Sequence, residues 1–224
     1  VYAGAVETAR ALPGLAGANA LPALFGTGAE PRIWIGNRTS IATHFDASDN
    51  IACVAAGRRR FTLFPPDQTA NLYIGPLDHN VAGQPLSMVD IAAPDFARFP
   101  RFRDALAAAR TAELEPGDAI YVPALWWHQV EALAPFNILV NFWWPDSPDQ
   151  DARFDAMVYA VLALSHLPPE RRAAWSEYFD TFVFREHGDP AAHLAPEHRS
   201  VLGEPTPQLR QYIKQYLARG LARP

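Results

Sequence analysis

The sequence predicts a mainly β domain followed by an α-helical extension, and three observations carry that prediction. Apolar or alternating runs of about four to eight residues, bounded by Gly- and Pro-containing turns, recur up to Trp144. Past the polar Pro145-Asp146-Ser147-Pro148-Asp149 break, the apolar spacing changes from strand-like to helical. The chain has 224 residues, 49% of them hydrophobic and 12% aromatic, enough to bury a sizeable core. One β-sandwich or barrel takes about 100 to 150 residues. Residues 1–149 therefore read as the β domain and 150–224 as an appended helical element.

The strands follow in order. Asn50-Ile51-Ala52-Cys53-Val54-Ala55 is a buried-strand run, Gly57 a turn, and Arg60-Phe61-Thr62-Leu63-Phe64 a second strand ended by Pro65-Pro66-Asp67-Gln68. The three together read as a hairpin. Between Pro65 and Ala112 lies an insert with a short helical stretch from Arg101 to Arg110. It is longer than a turn requires, and such loops commonly shape substrate mouths. Glu115-Pro116-Gly117-Asp118 is a turn, Ala119 to Pro123 a short strand, and Asn137 to Trp144 another, with His128 between them.

In the extension, Phe154, Met157, Val158, Val161 and Leu162 fit one helix face. Trp175, Tyr178, Phe179 and Phe182 fit a second after Pro168-Pro169-Glu170. Leu209, Tyr212, Ile213, Tyr216 and Leu217 make a third, with Thr206 as N-cap and Pro207 at the first helical position. Stripes of this kind pack either on their own domain or against a second copy of the chain.

Charge and composition narrow the function. A net charge of −5 argues against a general nucleic-acid surface, which needs a dense basic face. No apolar run reaches the roughly 18 residues of a membrane span, and no charged-then-apolar leader opens the chain. The single cysteine, Cys53, sits in an apolar strand and reads as an inert buried thiol in a reducing compartment. A cytoplasmic location is the default expectation. The chain begins at Val1 rather than Met, so an upstream segment is expected.

The chemistry resides in His44-Phe45-Asp46 and the distant Trp126-Trp127-His128. On a strand, residues two apart point the same way, so His44 and Asp46 would face one interior and His128 could complete a three-point site. Two imidazoles and a carboxylate are the facial set for Fe(II). Such a set leaves about three metal positions open, whereas structural zinc sites are closed by four protein ligands. The competing reading is two ordinary buried histidines and an Asp that opens a turn.

These residues resemble the cupin-like JmjC oxygenases, and within them the asparaginyl hydroxylase that modifies hypoxia-inducible factor. The resemblance rests on Ile33-Trp34-Ile35-Gly36, His44-Phe45-Asp46, Leu63 to Gln68, Phe99-Pro100, Pro116-Gly117-Asp118, Trp126-Trp127-His128 and Asn141-Phe142-Trp143, matching in order and spacing from Ile33 to Trp144. It implies a double-stranded β-helix, the jelly roll or cupin fold, with extra strands at its start. It implies Fe(II) held by His44, Asp46 and His128, 2-oxoglutarate as co-substrate, and dioxygen as oxidant. The substrate it implies is a protein or peptide, although a small molecule fits the same scaffold, and its C-terminal helices imply a homodimer through residues 150–224.

The resemblance also assigns the co-substrate contacts. The far carboxylate of 2-oxoglutarate falls to Arg59, at a position where the family carries Lys. Arg binds a carboxylate bidentately but is longer, so the exchange is not conservative. Strand alternation points Arg59 opposite to Arg58 and Arg60. Tyr2, Asn50 and Asn141 fall at further contact positions, as does Thr43 beside the triplet, with Thr39 an alternative hydroxyl. Phe142, Trp143, Trp126 and Trp127 are candidate apolar walls. If Arg59 does not admit 2-oxoglutarate, the alternatives are a non-catalytic metal-binding or sensing cupin, or an iron cupin enzyme that does not use 2-oxoglutarate.

Overall fold

A computed structural model describes residues 1–19, 21, 24, 26–77, 85–147, 149 and 152–222. The chain divides into two compact units, Val1–Arg153 and Phe154–Pro224.

Among the described residues the first unit holds nine strands: β1 Tyr2–Glu7, β2 Glu30–Gly36, β3 Thr39–His44, β4 Asp49–Ala56, β5 Arg59–Phe64, β6 Arg110–Leu114, β7 Ala119–Val122, β8 Trp127–Ala132 and β9 Asn137–Trp144. They form a five-stranded sheet in the order β1-β2-β9-β4-β7 and a four-stranded sheet in the order β3-β8-β5-β6. Every pairing is antiparallel. Two short helices, α1 Thr8–Ala11 and α2 Leu15–Ala18, follow β1, and α3 Phe102–Ala108 lies in the insert. This is the jelly-roll arrangement of a cupin.

Side chains two apart on each strand build the interior. Ala52 and Val54 from one sheet meet Phe61, Leu63 and Val130 from the other, with Leu114, Val122 and Leu139 completing the cluster. The core residues alternate along β4 and β5 because only one face of each strand looks across the sandwich.

The expected hairpin from Asn50 to Phe64 does not form. β4 pairs with β7 and β9, whereas β5 pairs with β6 and β8, so these consecutive strands lie in opposite sheets. Gly57 makes the crossing at φ +78°, where a Cβ would collide with Asn137 Oδ1 and the Phe136 carbonyl. The buried Asn137 accepts from the Arg58 amide at 3.2 Å and donates to the Ala134 carbonyl at 2.6 Å. A hairpin and an inter-sheet crossing share the same alternation and the same glycine, so the local sequence does not separate them.

The insert has its own apolar cluster. Phe64, Leu72, Val89, Phe102, Ala105 and Trp127 are buried together, with Phe45, Phe96 and Phe99 packed against them. Residues 78–84 of the insert lie outside the described part.

The second unit contains most of α4 Ala152–Leu164, then α5 Pro169–Phe182 and α6 Pro207–Leu221. The three expected helical faces fall within these helices. Thr206 caps α6 by accepting from the Leu209 amide at 3.2 Å, and Pro207 follows it. No described residue of the three helices is buried. Among the described residues, no helix is long and apolar enough to cross a membrane.

Candidate metal centre and anion pocket

β3 ends at His44, so the strand does not carry the whole triplet, and a bulge interrupts its pairing with β8 between Ile41 and His44. Asp46 lies beyond the strand and still turns to the same side. His128 sits on β8 directly opposite His44, where the sequence pattern suggested an interval between strands. One ligand-type atom from each of His44, Asp46 and His128 lies within 4.8 Å of the others.

The middle residue of each motif explains why the outer ones converge. Phe45 and Trp127 meet edge to face with centroids 4.9 Å apart, inside the insert cluster. Trp127 Nε1 also donates to Thr69 Oγ1 at 2.8 Å. Both ligand motifs are thus pinned from behind by one aromatic pair, and His44, Asp46 and His128 turn the other way. A further tie comes from Leu125, whose amide donates to the Asp46 carbonyl at 2.8 Å. Leu125 adopts φ +66°, an uncommon conformation for a non-glycine residue and one found often at functional sites.

The imidazoles are oriented by main chain. His44 Nδ1 lies 2.9 Å from the Ala42 carbonyl, and His128 Nδ1 lies 3.0 Å from the Trp126 carbonyl. A carbonyl only accepts, so each Nδ1 carries a proton and each Nε2 is the ring nitrogen left for a metal. Burial, with the nearby His44 second, lowers the His128 pKa to about 4, opposed by Asp46. His128 is therefore neutral at physiological pH, and its 3.6 Å approach to Asp46 Oδ2 is a meeting of two ligand atoms rather than an ion pair. Two imidazoles and a carboxylate, each imidazole fixed by a second partner, fit a divalent iron.

The three residues border a cavity of about 430 Å³ between the sheets. Its wall is largely apolar, with Trp34, Ile41, Phe61, Leu86 and Trp143 among its members. Tyr2, Asn50, Arg59 and Asn141 also line it. Arg59 is only 3% exposed. Burial pulls its pKa down, countered by Tyr2, and burial raises that of Tyr2, countered by Arg59. Among the described residues Arg59 has no hydrogen-bonded or ion-paired side-chain partner, and its Nε is buried without an acceptor.

The remaining expected residues separate. Thr43 is 1% exposed with an unpartnered hydroxyl, but it is not among the cavity-lining residues, because alternation turns it away from His44. Thr39 borders a different pocket, beside Arg38, Arg58 and Arg60. Of the four aromatic wall candidates only Trp143 lines the cavity. Trp127 belongs to the insert cluster, Trp126 packs on the inter-sheet core, and Phe142 alternates to the opposite face of β9. Sequence reasoning missed Trp34 as a polar participant, since its indole partner appears only once β2 and β9 are placed side by side.

Residues 1–150 match the cupin-like domain family. The chain belongs to that family. This cupin is 32% identical over 153 residues to HSPB1-associated protein 1 of Homo sapiens, a stretch covering 66% of the chain and 31% of that protein. It is 33% identical over 103 residues to the lysine-specific demethylase JMJ31 of Arabidopsis thaliana, 46% of the chain and 18% of that protein. It is 34% identical over 110 residues to tRNA wybutosine-synthesizing protein 5 of Danio rerio, 48% of the chain and 30% of that protein. The chain spans about a third or less of the length of these curated relatives. These matches support the JmjC-type cupin family and do not single out the asparaginyl hydroxylase.

Proposed function

We propose that this chain is an Fe(II)- and 2-oxoglutarate-dependent oxygenase that hydroxylates a C–H bond of a protein, peptide or small molecule, as the asparaginyl hydroxylase of the family does. The observation that carries this reading is Arg59. A buried cation without an anion is costly, and its guanidinium borders the same cavity as the His44, Asp46 and His128 cluster. A ligand with a carboxylate at one end and a chelating keto-acid at the other satisfies both.

In this reading His44, Asp46 and His128 hold the iron. Bound iron supplies the site where dioxygen is reduced as 2-oxoglutarate is split to succinate and carbon dioxide and one oxygen atom enters the substrate C–H. The chain's own residues bind and orient. Arg59 neutralises the far carboxylate through its planar fork, and Tyr2 stands beside it. Asn50 and Asn141 offer hydrogen bonds along the cavity. The apolar walls exclude water from the reacting atoms. Thr43 has no place in this scheme, because it lies outside the cavity lining.

The proposal includes a homodimer formed through residues 150–224. It is supported by helical faces on which Leu162 is 70% and Tyr216 59% exposed. Light scattering at micromolar concentrations should give twice the chain mass; a monomer would sink this part. The reading also places the chain in a reducing cytoplasm with no nucleic-acid or membrane partner.

The decisive experiment adds Fe(II) and then 2-oxoglutarate to the protein under anaerobic conditions. A visible charge-transfer band is expected in the wild type and absent in His44→Ala. Metal binding without the band would point instead to a cupin that does not use 2-oxoglutarate.

A further inference from the structure

We infer that Trp34 sets the polarity of an amide relay, so that Asn50 and Asn141 turn only N–H groups toward the cavity. Trp34 Nε1 lies 2.8 Å from Asn141 Oδ1, and Asn141 Nδ2 lies 3.3 Å from Asn50 Oδ1. An indole nitrogen donates and never accepts, so the Asn141 atom facing it must be the oxygen. The Asn141 amide nitrogen then faces Asn50, which obliges Asn50 to present its own oxygen in return. Each oxygen is turned into the relay, Asn141 Oδ1 accepting from Trp34 and Asn50 Oδ1 from Asn141. Asn50 Nδ2 engages no protein acceptor among the described residues, and Asn50 lines the cavity.

The orientation of two amides thus follows from one donor on β2. Gly4 secures the seat of that donor, because a Cβ there would come within 2.9 Å of the Trp34 ring. Trp143 holds the other side in an edge-on contact at 5.9 Å. With Arg59 in the same wall, the amides favour an acceptor-rich ligand such as a carboxylate or keto oxygen. If the pair were reversed, Asn50 would turn a carbonyl oxygen to the cavity and repel the same ligand. Trp34 is a positioning residue for co-substrate binding. This role rests on the oxygenase reading, whereas the relay itself does not.

The test uses Trp34→Phe in the full chain, which keeps an aromatic ring and deletes the N–H. In the metal-free protein, NMR should show the Asn141 side-chain NH2 exchanging at least about ten-fold faster than in the wild type. Unchanged exchange overturns the relay. In Mn(II)-loaded protein the variant should bind 2-oxoglutarate about ten-fold more weakly, and this loss should disappear in an Asn50→Ala background. An equal loss in both backgrounds would make Trp34 a packing residue and overturn its positioning role. If Trp34→Phe does not fold, benzothienylalanine at position 34 preserves the ring shape without the donor. Failure of the wild type to bind 2-oxoglutarate would refute the oxygenase reading, while the exchange measurement would still decide the relay.

Discussion

Arg59 and Arg60 are neighbours on β5, and the two faces of the sheet treat them in opposite ways. On the outer face, Arg60 donates to Glu113 Oε1 at 3.0 Å from Nε and 2.6 Å from Nη2, and to Glu131 Oε2 at 3.3 Å. Glu113 and Glu131 stand on β6 and β8, directly opposite Arg60 in register. On the inner face, Arg59 borders the cavity, whose other polar lining is Tyr2, Asn50, Asn141 and the His44, Asp46 and His128 cluster, and it forms no ion pair there among the described residues. The outer cation is neutralised by two carboxylates of the protein. The inner one is not, since its Nε is buried without an acceptor, and that is the difference on which the proposed anion site rests.

The largest effect should come from the inner face at its His44, Asp46 and His128 end. His44→Ala removes one of three converging donors, and turnover should fall by on the order of 1000-fold or more. The metal-free melting transition should stay close to that of the wild type, since Phe45 and Trp127 anchor the motifs from the far side. Spectroscopic titration with Fe(II), paired with calorimetric melting, separates the two effects. A variant that loses its fold along with its metal would show that the triplet is structural.

Next in size is Arg59→Met, which keeps an unbranched apolar stem and removes the guanidinium with its charge. Binding of 2-oxoglutarate should weaken by on the order of 100-fold. The ligand-free protein should gain about 1 to 3 kcal/mol of stability, because a buried unpaired cation is exchanged for an apolar group. Arg59→Lys should retain part of the binding, since it keeps the charge but loses the fork. The comparison of faces breaks if Arg59→Met is destabilised, for that would mean the guanidinium has a partner it depends on.

Much of this site is legible in the amino-acid sequence, for identifiable reasons. Alternation alone places Arg59 opposite to Arg58 and Arg60, because a strand has only two faces. The fixed spacing of His44 and Asp46 and the distant His128 carry the metal set. Thr206 and Pro207 announce the start of α6 through local capping chemistry. What stays hidden in the sequence depends on register and on sheet membership. Gly57 looks the same in a hairpin as in the crossing it makes. Trp127 reads as a candidate wall or core, and only the position of the insert shows it meeting Phe45 behind the His44, Asp46 and His128 cluster. The carbonyls of Ala42 and Trp126, which orient the imidazoles, have no side-chain signature at all.

The smallest expected effect is also the control for the whole comparison. Arg60→Ala removes a cation held by two carboxylates on an exposed sheet face, where water and salt compete for the same charges. Melting should shift only slightly, and the shift should shrink as ionic strength is raised to about 1 M. Glu113, whose carboxyl is held below its usual range by the Arg60 hydrogen bond, should return toward that range in the variant. Binding of 2-oxoglutarate should be unchanged, because Arg60 faces away from the cavity. If Arg60→Ala weakened 2-oxoglutarate binding as much as Arg59→Met, the two faces would be coupled through β5, and the assignment of the anion pocket to Arg59 alone would fail.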